Sequence, residues 1–252
     1  EMMGISHRDH DLFGRCTADM LASLEMSATP EVFERGAAAA GILFDYCRDV
    51  AASREKNLGD DLLSILIHKE KEDKMARDEV IWTAVTMLIA GHETTAHMLG
   101  NGMLALLRNP DQYRLLAANP ELAANATEEI LRYDPTLYVL FRESRVDVEI
   151  GGEQIPAGSF LLASLYAANR DPGVFSRADE FDIQRNNADR HLTFAAGRNL
   201  CLGHNLARLE GRVAFSRIFR RLDQFALAGD PVPRNGLMFK GYHSLPMRWA
   251  AV

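Results

Sequence analysis

Uncharged apolar runs are short in this sequence. None reaches the ~18 residues that a bilayer-spanning helix requires, so no segment reads as a membrane span. Cysteine is scarce as well. Cys16, Cys47 and Cys201 are scattered and odd in number, which argues against a disulfide-stapled secreted fold. They point instead to a reducing, cytoplasmic setting in which one thiol could serve as ligand or nucleophile. Positive charge is outnumbered, with 28 Lys and Arg against 35 Asp and Glu and a net charge of -7. That balance gives no general attraction to nucleic acid or to an anionic membrane surface, and neither is expected as a partner. Internal repeats, low-complexity tracts, and flavin or iron–sulfur motifs are missing too. So is a conventional beginning. "EMMGISHRDHDLFG" carries apolar residues at helical spacing with no initiator Met, signal peptide or capping residue ahead of them. The expectation is a start inside a helix of a longer protein.

What remains is apolar enough to fold. With 252 residues and 47% hydrophobic composition, residues 1–252 can bury a sizeable core as a single domain. Periodicity predicts helices over 9–25, 29–54, 60–69, 77–108, 111–118, 121–133 and 202–220. Thr29-Pro30 supplies a cap hydroxyl and a proline at the first helical position, whereas Asn109-Pro110 and Pro135 are stops. The helix over 77–108 spans about 48 Å, far longer than a typical globular helix. The period then changes. Alternation around Gly151-Gly152 predicts a small hairpin followed by an apolar strand. Residues 171–199, punctuated by Gly and Asp, carry little regular pattern, and a stretch so long is expected to be functional or pinned by specific side chains. The tail reads as short strands and turns. The fold class is mainly α with a minor mixed or antiparallel sheet.

Three places could carry chemistry. The first is "MLIAGHETTAHML" (87–99), where polar side chains sit in an apolar helix at a cost unless they are paired or used. His92-Glu93 begins like the zinc motif H-E-x-x-H, but position 96 is Ala and His97 lies about 140° round the helix, so one ion cannot take both imidazoles. Gly91 could instead allow a close approach, with Glu93 and Thr94 relaying protons. Thr94 could equally bond back to a carbonyl one turn earlier. The second is Glu129 and Arg132, three apart on one helical face, to which Arg185 could add a third member. The third is "TFAAGRNLCLGHNLAR", which sets Cys201 between a glycine-containing loop and a helix start, where the dipole favours a thiolate. A structural thiol, a nucleophile with His204 as base, and a haem ligand all remain open on these grounds.

Together these stretches resemble the cytochrome P450 family, because four motifs occur in the family's order. "AGHETT" (90–95) resembles the distal helix motif and "EILR" (129–132) its Glu-x-x-Arg helix. "AANRDPGVFSRADEFDIQR" (167–185) resembles the segment that ends in the cluster's second arginine. "FAAGRNLCLG" (194–203) resembles the haem-binding loop. The likeness covers the whole of this chain but only the C-terminal portion of the family's fold, and is closest to soluble bacterial members.

The resemblance implies haem b with Cys201 as its thiolate ligand, and Phe194, Gly197, Arg198, Asn199 and Gly203 shaping the loop. It implies Arg142 on a propionate, Ala90 and Gly91 beside the haem, and Glu93 and Thr94 delivering protons to bound oxygen. Ala84, Leu88, Leu137, Tyr138, Val139, Leu140, Met238 and Phe239 would line a pocket for a lipophilic substrate. Glu129, Arg132 and Arg185 would form a structural cluster. Electrons would come from a ferredoxin or flavoprotein, for which Arg212, Arg217, Arg220 and Arg221 are a candidate basic patch. The implied activity is monooxygenation. A peroxide-driven enzyme or a non-catalytic fragment are the rivals. Two departures from the pattern stand out. Ala195 replaces a glycine, which leaves either a relaxed backbone or a strained turn, and Asn199 replaces a propionate-binding His or Arg.

Overall fold

The computed structural model describes residues 2–251, and by its internal contacts the chain divides into two compact units, residues 1–94 and 95–252. The first unit contains α1 (His10–Ser23), α2 (Pro30–Arg54), α3 (Leu62–Lys71) and the leading part of α4 (Arg77–Arg108). Thr29 caps α2, its hydroxyl accepting from the Val32 N–H at 3.4 Å, and Asp61 caps α3 by accepting from Ser64 N–H at 3.0 Å. Ala76 has no side chain with which to cap α4. Glu79 compensates by reaching back to the Ala76 N–H at 2.7 Å, the acidic half of a capping box.

Apolar residues one turn apart make this unit's core: Leu43, Cys47 and Ala51 of α2, Leu63 and Ile67 of α3, and Val80, Ile81, Ala84 and Val85 of α4. Burial pushes the Cys47 thiol up to about 11 and raises Cys16 as well, so both pack rather than react. Residues 2–6 are turn and coil and not the helix expected there, and a 3-10 turn over His7–Asp9 leads into α1 at His10. Gly4 holds φ at +70°, which breaks helical continuity, and its carbonyl accepts from the Arg54 guanidinium.

The second unit contains the rest of α4, then α5 (Pro110–Ala118), α6 (Ala123–Tyr133), β1 (Val139–Glu143), β2 (Val148–Ile150), β3 (Glu153–Ile155), β4 (Phe160–Ser164), α7 (Leu165–Ala168), α8 (His204–Arg221), β5 (Leu222–Leu227), β6 (Val232–Pro233), β7 (Tyr242–Ser244) and β8 (Met247–Ala251). The strands pair as separate antiparallel ladders, β1 with β4, β2 with β3, β5 with β8 and β6 with β7. Gly151 and Gly152, at φ +62° and +88°, close the predicted hairpin in the left-handed region that such a turn demands. Met98, Leu106, Ala126, Ile130, Phe215 and Phe219 anchor the core of α4, α6 and α8. A Cβ added to Gly102 would lie 2.6 Å from Phe215 Cζ, so this glycine sets how closely those helices approach. Among the described residues no helix is long and apolar enough to cross a membrane.

Candidate functional site

The long irregular segment is pinned by the predicted cluster. Glu129 and Arg132 of α6 are fully buried, with Arg132 Nε and Nη2 donating to the carboxylate at 2.7 and 2.8 Å. Arg132 Nη1 also donates to the carbonyls of Asn169 and Ala178 at 2.9 and 2.8 Å, and Nη2 to that of Glu180 at 3.0 Å, so all five guanidinium protons are used. Arg185 joins through Nε at 3.2 Å and binds the Arg177 and Glu180 carbonyls at 3.0 Å. Asp182 N–H completes the shell of Glu129 at 2.9 Å. Sequence reasoning missed Asn169, which is fully buried. Its amide donates to Thr193 Oγ1 at 2.9 Å and accepts from the Leu192 N–H at 2.7 Å, tying this cluster to the loop that follows.

That loop, 194–203, brings Cys201 just ahead of α8. Cys201 N–H donates to the Phe194 carbonyl at 2.9 Å, closing the loop, and Cys201 is the exposed member of the three free cysteines. Ala195 sits at φ +59° and Gly197 at +66°. The turn therefore does demand a left-handed residue at 195, and alanine bears the strain. Phe194 is held from α8 and α6. Arg208 stacks 4.7 Å over its ring and donates to Glu128 at 2.7 Å, while His191 meets the other Glu128 oxygen at 3.1 Å. Burial pushes the Glu128 carboxyl up, but the bonds from His191 and Arg208 outweigh it and hold the group below its ordinary range. Neither Glu128, Arg208 nor His191 had a sequence signal beyond charge. Arg208 also donates to His204 Nδ1 at 2.9 Å; because arginine only donates, that ring nitrogen is an acceptor already engaged and not available as a base for Cys201.

The loop's shape suits a flat apolar ring carrying a metal. Leu200 and Leu202, on either side of the thiol, are 47% and 86% exposed, and no atom lies within 4 Å of a Cβ added at Gly197. Among the described residues no group of three or more His, Cys, Asp and Glu side chains converges, so a metal on Cys201 has to bring its other ligands with it. Arg198, Asn199 and Gly203 are exposed, as is Arg142 on β1, whose Nη1 donates to the Phe141 carbonyl at 2.7 Å. Arg212, Arg217, Arg220 and Arg221 are all exposed on α8.

In the first unit, Ala90 and Gly91 are exposed on α4, with no atom within 4 Å of a Cβ at Gly91. Thr94 Oγ1 donates to the Ala90 carbonyl, the backbone bond weighed from sequence. Glu93 is buried and accepts from Thr17 Oγ1 at 3.2 Å, and His92 Nδ1 lies 3.1 Å from the same hydroxyl. Hydrogen bonding to Glu93 raises His92 above its ordinary value against the opposing effect of burial. Of the predicted substrate-pocket residues, Leu88 is half-buried against the first unit's core. Ala84 is corrected: it is fully buried within that core, so its methyl reaches no open face. In the second unit, Leu137 bridges to Phe239, and Tyr138 N–H donates to the Met238 carbonyl at 2.8 Å, so these four residues are brought together beside Val139 and Leu140.

Comparison with known proteins agrees with this geometry. The sequence profile of the family described as cytochrome P450 matches residues 19–119 and 117–238. Cytochrome P450 CYP107DY1 of Priestia megaterium is 36% identical over 98% of this chain and 60% of its own length. The vitamin D(3) 25-hydroxylase of Pseudonocardia autotrophica is 37% identical over 98% of this chain and 61% of its own. Among solved structures, CalO2 superposes with a TM-score of 0.91 at 35% identity, covering 99% of this chain and 63% of that one. P450BioI, in complex with an acyl carrier protein ligated with hexadec-9Z-enoic acid, gives 0.93 at 31% identity, covering 99% and 64%. The chain thus spans about 60% of the length of the curated relatives it matches.

Proposed function

The chain belongs to the cytochrome P450 family, and from that premise we propose that the protein is a haem-thiolate monooxygenase acting on a lipophilic small molecule. The observation that supports this best is the exposed Cys201 thiol, flanked by exposed leucines on a loop closed by its own N–H bond to Phe194. Haem b, bound through that thiolate, supplies the redox chemistry that transfers one atom of dioxygen to the substrate.

This chain's residues then have separate tasks. Cys201 is the iron ligand. Phe194, Gly197 and Gly203 keep its loop in shape, and Arg142 and Arg198 offer positive charge to the haem carboxylates. Asn199 adds a neutral hydrogen-bond donor. Ala90 and Gly91 leave room for oxygen. The Thr94 hydroxyl holds a proton at Oγ1, and Glu93, linked through Thr17 to His92, is the carboxylate that resupplies it. Leu137, Tyr138, Val139, Leu140, Met238 and Phe239 of the second unit orient an apolar substrate. A ferredoxin or flavoprotein delivers electrons at a face to which Arg212, Arg217, Arg220 and Arg221 contribute.

The test is the reduced, carbon monoxide-bound spectrum of the protein after haem reconstitution. The red-shifted Soret band of thiolate-ligated haem is expected, and Cys201→Ser is expected to abolish it; a variant that retains the band refutes the assignment. Thr94→Ala should divert electrons into peroxide, and unchanged coupling would refute the proton role.

A further inference from the structure

We propose that Glu128 is a positioning residue for the Cys201 loop, acting through a hydrogen-bonded belt of side chains around the Phe194 ring. The inference deepens the haem-thiolate reading and rests on it only for the ligand the loop would carry. Glu128 stands next to Glu129 on α6. A step of about 100° round the helix takes it out of the buried hub and onto His191 and α8.

The belt is continuous. His191 Nε2 meets one Glu128 oxygen at 3.1 Å, Arg208 Nε donates to the other at 2.7 Å, and Arg208 Nη1 goes on to His204 Nδ1 at 2.9 Å. Each of these three partners also packs on Phe194. The guanidinium lies 4.7 Å over the ring, and the His191 and His204 rings are 5.5 and 6.2 Å from it. Phe194 in turn supplies the carbonyl that takes the Cys201 N–H at 2.9 Å. Whatever holds this residue in place therefore holds the closure of the loop that carries the thiol.

Donor and acceptor roles along the belt admit only a carboxylate at position 128. The Thr193 N–H donates to His191 Nδ1 at 3.1 Å, so the His191 proton sits on Nε2 and points at Glu128. Arginine has donors alone. Glu128 must then accept on both oxygens. A glutamine cannot: its NH2 would face either the His191 Nε2–H or the Arg208 Nε–H. Nor can His191 switch tautomers to suit it, because Nδ1 is already taken by the backbone. Water is a poor substitute, since the side chains of Glu128 and His191 are 16% and 0% exposed.

The test is amide hydrogen exchange of the haem-free 252-residue chain, read at the Cys201 N–H against the amides of α4 and α6. The parent should protect Cys201. Glu128→Gln should speed exchange there about tenfold more than in the two helices, the loss of one hydrogen bond to a charged group. Arg208→Lys keeps the charge but neither the plane nor the fork, and should do the same. After haem reconstitution, both variants should lose part of the red-shifted Soret band that the parent gives on reduction with carbon monoxide. An unprotected Cys201 amide in the parent, acceleration no greater at Cys201 than in the helices, or an undiminished band in both variants would each overturn the proposal. If the parent gives no such band, the haem-thiolate reading fails, and the exchange result alone decides the role of Glu128.

Discussion

Replacing Glu129 with Gln deletes one negative charge from a place where water cannot compensate. Glu129 and Arg132 have fully buried side chains, and the side chain of Arg185 is 3% exposed. The carboxylate receives Arg132 Nε and Nη2, Arg185 Nε and the Asp182 N–H, which fills its acceptor positions. A glutamine keeps one acceptor oxygen, turns an NH2 toward an arginine donor, and leaves two guanidinium charges in a dry site. Removing one partner of a buried ion pair costs about 3–5 kcal/mol, and two cations share this one, so the upper part of that range is expected. A chain of this kind has about 5–15 kcal/mol in total, so the loss is a large part of its stability.

The assay is urea unfolding followed by circular dichroism, with the midpoint converted through the slope. Glu128→Gln, in the partly exposed pair with Arg208 and His191, is the control and should cost about 1 kcal/mol. The diagnostic step is the double variant Glu129→Gln with Arg185→Met. Removing a stranded cation restores part of the charge balance, so the pair should lose about 1–3 kcal/mol less than the two single losses summed. A Glu129→Gln variant within about 1 kcal/mol of the parent, or strict additivity in the double, would refute the buried-charge reasoning.

Ala195→Gly should stabilise the chain by about 0.5–1 kcal/mol, the relief of a left-handed alanine less the added freedom of glycine when unfolded; thermal unfolding reads it, and a lowered midpoint contradicts the strain. Gly102→Ala should destabilise by about 1–3 kcal/mol, because its Cβ meets Phe215 Cζ at 2.6 Å and Ile130 Cδ1 at 2.8 Å. Gly100→Ala, with no atom within 4 Å, should gain about 1 kcal/mol in the same helix, and equal effects at the two positions would defeat the packing argument. His92 has its folded pKa raised above the ordinary 6.5, so its contribution to stability is fully present below pH 6.5 and lost as pH climbs through the raised value. Proton NMR titration of His92, with His92→Gln flattening the pH profile of stability, checks this; titration at or below 6.5 counts against it.

Local pattern carried much of the fold. The bounds of α4, Arg77–Arg108, follow from apolar spacing and the Asn109-Pro110 stop, and the α2 cap from Thr29-Pro30. What depends on distant partners was not legible. Glu129 and Arg132 have the spacing of a surface pair worth tenths of a kcal/mol, and only the docking of residues 169–185 turns them into a buried hub. Strand β1 has no clear alternation because burial falls off along it, from buried Val139 to exposed Arg142 and Glu143, and does not switch from face to face.

The three cysteines show where the division falls. Cys16 and Cys47 lie in helical apolar stripes and end up buried, with thiols pushed up by desolvation. Cys201 stands between a glycine-bearing turn and a helix start, outside any apolar stripe, and ends up exposed. A packing role stayed open for Cys201 from sequence, and it is the fold that separates this open thiol from the two buried ones. Its role was less accessible, because dipole and exposure suit a nucleophile as well as a metal ligand. The structure narrows that choice by committing His204 Nδ1 to Arg208, which takes away the neighbouring base that nucleophilic catalysis needs. The exposed Leu200 and Leu202 then favour a partner that is broad and apolar as well as metal-bearing, a demand a single hydrated ion cannot meet.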